Sequence, residues 1–168
     1  MTATEGELRN DGSRQQTNVV LPDQRIRHCR WNRTVGWLSL ALGVGTGLLM
    51  GLWSFDGPVA IPAWLGEYGD TSRRLARLGH IALFGLGILD ILLARELPGF
   101  SLGLRARQTA SVAMVFGNAF LPLTLFAAAA FHPMKYLMAF PALSVFVALV
   151  IAAYGACRRQ KGAGDARS

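Results

Sequence analysis

Few side chains in this sequence have both the chemistry and the setting to form a site. His80 lies in an apolar stretch with glycine at 79, 85 and 87, and a neutral imidazole can ligate the iron of a b-type haem. Those small neighbours would leave room for a flat macrocycle. Asn118, in another apolar stretch, offers His80 a different role. The two can share a hydrogen bond where each would otherwise be an unsatisfied polar group. His132, Met134 and Met138 place one imidazole and two thioethers close together, a donor set that suits copper. Methionine in an apolar helix more often only packs. Asp90 is a single carboxylate in its run. The sequence holds no HExxH, GxSxG, CxxC or P-loop motif, so no catalytic centre of the soluble kind is expected.

Which reading applies depends on the elements that carry these groups. Charged residues make up only 16% of the 168 residues and apolar ones 52%, against roughly a quarter charged in a soluble domain. No Asp, Glu, Lys, Arg or His occurs from Thr34 to Trp53, from Gln108 to Phe131 or from Tyr136 to Cys157. About 20 apolar residues cross the hydrocarbon of a bilayer as a helix. Leu75 to Ala94 meets that length by tolerating Arg77, His80 and Asp90. The fold expected is therefore all-α: an integral membrane protein with a four-transmembrane-helix antiparallel bundle. Its spans fall at about 34–53, 75–94, 108–131 and 136–157, within a transmembrane domain of 25–157. Residues 1–24, polar with few apolar side chains, are expected to form a disordered cytoplasmic tail, and 158–168 a basic one.

The formal charge of +7 raises the question of nucleic acid, but its placement answers it. Arg9, Arg14, Arg25, Arg27, Arg30 and Arg33 precede the first span. Arg95, Arg105 and Arg107 lie between the second and third, and Arg158, Arg159, Lys161 and Arg167 follow the fourth. Only Arg73, Arg74, Arg77 and Lys135 fall on the other side. That asymmetry is the positive-inside pattern and places both termini in the cytoplasm, as expected of a protein of the cell (inner) membrane. The basic excess then reports topology and attraction to anionic lipid, and no nucleic acid is expected as a partner. Cys29 and Cys157, both at cytoplasmic span ends, are expected to be reduced and structural.

Depth follows from a rise of 1.5 Å per residue. His80 comes about 9 Å below the outer end of its span, and Asp90 about 7 Å from the inner end. Asp90 is thus expected as an intramembrane charge near the headgroups, paired with Arg95, Arg105 or Arg107. Asn118 comes about 16 Å and His80 about 21 Å above the inner side, close enough for a structural polar pair. Haem at His80 would need a second ligand. His132 is about 16 Å too high for that, which leaves Met134 or Met138.

Ser39, Gly43, Gly47 and Gly51 recur at intervals of four in the first span and predict a helix-packing face. Packing against another span of the same chain is favoured over a homo-oligomer contact. Trp53, Phe55, Trp64 and Tyr68 are expected at the outer headgroup boundary, with a short interfacial helix from Pro62 and an N-cap among Asp70, Thr71 and Ser72. Pro122 should kink the third span.

In helix number and size this outline resembles many small four-span proteins, including accessory subunits of redox chains and haem-carrying membrane domains. The function expected is a non-enzymatic subunit or accessory of a larger membrane complex, respiratory by that resemblance. The alternatives are a haem- or quinone-interacting redox protein centred on His80 and a small transporter. The partners expected are the lipid bilayer and a larger complex or a second copy. Topology is checked first: single cysteines placed in 54–72 or beside His132 should label with a membrane-impermeant maleimide, and cysteines near either end should not. An externally labelled C-terminus would overturn the orientation.

Overall fold

The computed structural model describes residues 22–54, 57–66 and 70–165, with side chains from 30 to 159 within those ranges. The expected tail 1–24 lies outside the described residues apart from its last three positions, which belong to a helix. The side chains of Phe55, Tyr68 and Cys29 are also outside them. Four long helices follow in order: α1, Pro22–Leu52; α2, Thr71–Glu96; α3, Leu104–Ala130; and α4, Ala139–Asp165. Two 3-10 segments, Leu97–Gly99 and His132–Met138, precede α3 and α4. No strand occurs among the described residues, and all four helices are long and apolar enough to cross a membrane.

Helix ends differ from the expected spans for physical reasons. The arginines before Thr34 are good helix formers, so α1 begins at Pro22, well before its apolar run. The final helix likewise continues past Cys157 to Asp165. Asp70 takes the N-cap position of α2 in extended conformation, without a side-chain cap bond. Pro62 begins no helix. It starts one turn, closed by the Leu65 amide donating to the Pro62 carbonyl at 2.9 Å, and that turn drives Leu65 into a cluster with Ala76 and Ala129. Gly66 then reverses the chain with φ +67°, a left-handed conformation that glycine adopts without strain. Pro122 is buried inside α3, which runs on through it.

α1 packs on α2 and α3, α2 on α3, and α3 on α4. The third helix is the most enclosed of the four, and α1 and α4 are the least. One apolar cluster, built on Leu86, Leu93, Met114 and Val145, ties α2, α3 and α4 together. The outer surface is apolar: Leu48 is 71% exposed, Phe140 68% and Phe146 62%. Faces of that kind are sustained by lipid.

The glycine stripe of α1 is an intramolecular contact. Gly43 lies under the Phe84 ring and Gly47 under the His80 imidazole, both from α2, while Gly51 has nothing within 4 Å. Two turns before Gly43 the approach is just as close. A β-carbon built on Gly36 would lie 2.8 Å from the carbonyl oxygen of Gly87, and one built on Gly87 would lie 2.9 Å from that of Gly36. Here backbone meets backbone, and neither can swing aside. Gly36→Ala or Gly87→Ala should force the helices apart and lower stability in detergent by about 1–3 kcal/mol, the usual cost of overpacking. Gly51→Ala should be neutral or slightly stabilising through its helix propensity. Equal melting temperatures for all three variants would remove the close-approach argument.

Candidate functional site

Where three helices pack closely in lipid, any polar side chain between them must find its partner inside the protein. The polar residues of α1 recur at seven-residue intervals: Asn32, Ser39 and Thr46. Ser111 and Asn118 do the same on α3, and Leu83 and Asp90 on α2. Seven residues are two helical turns less about 20°, so each set falls on one narrow face. The three faces meet along a common line.

At the Asn32 end of that line Asp90 has 0% exposure, Asn32 and Asn118 1% each, and Ser111 2%. The Asn32 amide donates to Asp90 Oδ1 at 2.5 Å, and the Asn118 amide donates to Asp90 Oδ2 at 2.9 Å. Each asparagine is backed by a hydroxyl. Ser111 donates to the Asn32 side-chain oxygen, and Ser39 lies 2.8 Å from that of Asn118. Ser39 is also 3.1 Å from the Leu83 carbonyl, and its single proton can serve only one of these two acceptors fully. The Asn32 amide also approaches the Ser111 carbonyl at 3.5 Å. Five side chains from three helices thus form one connected network around a carboxylate.

This corrects the reading of Asp90 as a charge near the headgroups, paired with Arg95, Arg105 or Arg107. Asp90 lies about 9 Å above the Glu96 end of α2, near enough for a side chain to reach the interface. Its face of the helix is turned inward instead. Arg95 and Arg105 are exposed, and Arg107 donates to the Phe100 carbonyl at 2.6 Å.

The expected pairing of His80 with Asn118 is also corrected, because each has another partner. Asn118 belongs to Asp90 and Ser39. His80 lies one layer further out, its Nδ1 3.1 Å from the Thr46 hydroxyl and its ring edge-on to Phe84 at 5.2 Å between centroids. The ring edge at Cε1 lies against α1, with Nε2 3.4 Å from where a β-carbon of Gly47 would stand. Of the three glycines near His80, Gly79 is covered by Phe126 and Gly87 by Gly36 and Leu40, while Gly85 has nothing within 4 Å.

The proposed copper ligands do not converge either. His132–Met138 is a 3-10 segment, with His132 and Met134 exposed. At three residues per turn and about 2 Å rise, His132 and Met138 share a face but stand about 12 Å apart along the axis. Met134 lies on another face.

Asn32 and Ser111 were missed because neither is ionisable and Asn32 precedes the uncharged run. The seven-residue polar spacing was the signal that could have found them. Comparison with protein-family models, curated proteins and solved structures finds no match to this chain.

The network makes a graded prediction. Asp90→Leu leaves two buried amides without an acceptor, at roughly 1–3 kcal/mol each. Asp90→Asn keeps the shape and one acceptor, and should cost less. Thermal unfolding in detergent measures both, and a leucine variant as stable as wild type would mean the amides have other partners.

Proposed function

We propose that this chain is a small multi-pass protein of the cell (inner) membrane, with four antiparallel spans and both termini cytoplasmic. In this reading it serves as a non-enzymatic subunit or accessory of a larger membrane complex, of the respiratory kind. The observation that carries it is the direction its polar groups face. In α1, α2 and α3 they turn inward and satisfy one another, so the surface left for recognition is apolar. On α4 that surface is bulky: Phe140, Leu143, Phe146 and Tyr154 are each at least 58% exposed. That helix packs chiefly against one neighbour, so its apolar face is the largest one left open to a partner helix. A small transporter is the second reading, favoured by the intramembrane carboxylate of Asp90.

The test is photo-crosslinking in the native membrane from Phe146 on α4 and from Leu48 on α1. A discrete protein adduct from position 146 supports the subunit reading, and an adduct with a second copy redirects it to a homo-oligomer. Lipid adducts alone from both positions would sink it.

A further inference from the structure

The Asp90 network has a property that a purely structural hydrogen-bond cluster does not need. Each amide that donates to the carboxylate is backed by a hydroxyl, and a hydroxyl can either donate or accept. An asparagine side chain can therefore turn over and present its oxygen to Asp90 without losing its second bond. At Asn118 the geometry for both arrangements is already in place. With the carboxylate ionised, the Asn118 amide donates to Asp90 Oδ2 and Ser39 donates to the Asn118 oxygen, as found at 2.9 and 2.8 Å. With a proton on Oδ2, the amide turns. Asp90 then donates to the Asn118 oxygen, the Asn118 amide donates to Ser39 Oγ, and Ser39 donates to the Leu83 carbonyl, already 3.1 Å away. Each of the three side chains keeps its bonds to its neighbours in both arrangements, and the 2.9 Å separation lies within the range of an O–H···O bond.

Charge bookkeeping points the same way. An isolated carboxylate is costly to hold inside a bilayer, and among the described residues the structure pairs Asp90 with no cation. On α1 the adjacent charge, Arg33, is exposed. On α2, Arg95 and Glu96 are exposed and His80 is bonded to Thr46 one layer outward. On α3, Arg107 stands one turn below Ser111, donates to Phe100 and keeps its Nε buried without a partner. On α4 no charged residue or histidine occurs between Tyr136 and Cys157. A groove of about 370 Å³ between Trp31 and the Val112–Phe116 face of α3 reaches Ser111. Through that hydroxyl it reaches Asn32, which holds the other carboxylate oxygen.

We infer that Asp90 is a reversible proton-binding site within the membrane, with the Asn118–Ser39 pair as a two-way hydrogen-bond switch that serves both protonation states. Uptake places one proton from water on Asp90 Oδ2, and release returns it. No other bond is made or broken. The inference stands whether or not the chain has a partner protein.

Infrared difference spectroscopy of the full chain in lipid nanodiscs tests it, scanned between about pH 5 and 10, where water-exposed aspartates stay ionised. The expected result is a protonated-carboxyl C=O band at the acid end that disappears as pH rises. It should shift when the chain is grown with ¹³C-carboxyl aspartate and be missing from Asp90→Asn. Ser39→Ala, which removes Asn118's second partner in both arrangements, should move the pH at which the band is at half height, and an unmoved half-height pH would remove the switch. Absence of the band at every pH, a band that never changes with pH, or one retained in Asp90→Asn would each overturn the inference. Should Asp90→Asn not fold, the isotope shift in the native chain gives the same assignment.

Discussion

The contact on which the rest of the structure depends is backbone against backbone, where Gly36 of α1 meets Gly87 of α2. Gly36 lies between Asn32 and Ser39 in sequence, and Gly87 lies between Leu83 and Asp90. The close approach therefore falls between the layer that joins Asn32 to Asp90 and the layer that joins Ser39 to the Leu83 carbonyl. Serine and asparagine are short. They bridge two helices only when the axes are drawn together, and side chains at 36 and 87 would hold the axes apart. In lipid there is little hydrophobic force between helices to do this, so small residues and polar bonds must act together. Here they alternate along one seam.

The third helix gains its central place from the same seam. Ser111 and Asn118 bring it to the α1–α2 pair through polar bonds, while Gly117, its neighbour in sequence, opens the opposite side to Val145 and Ser144 of α4. One helix thus carries two kinds of interface. The polar one is specific in register, since a slip of one residue would turn Asn118 away from Asp90. The apolar one, with α4, rests on shape alone.

Much of this was legible in the sequence. Uncharged runs locate the spans because a charge in hydrocarbon is costly. The stripe at Ser39, Gly43 and Gly47 was read as a packing face, and the structure sets it against α2. The Asp70 N-cap was also legible. What failed were the pairings inferred from depth alone. Depth placed His80 near Asn118 and Asp90 near the headgroups, but a helical residue also has an azimuth, and a rise of 1.5 Å per residue says nothing about which face it occupies. Asn32 was overlooked for a different reason: it carries no charge and stands between Arg30 and Arg33, just before the uncharged run that begins at Thr34. An uncharged amide among arginines is easily discounted, and this one is 1% exposed.

Pro122 adds a mechanical consequence. Proline has no N–H, so the backbone carbonyl four residues earlier loses its helical donor, and four residues before Pro122 is Asn118. The residue whose side chain holds Asp90 is thus also the residue at which the hydrogen-bond ladder of α3 is broken. The helix nevertheless runs on through the break, because it is held on both sides of it: Ser111 and Asn118 join it to α1 and α2, and beyond the proline Phe126 lies against Gly79 while Ala129 packs with Ala76. The interruption is thus confined to the backbone ladder, and side-chain packing carries α3 across it.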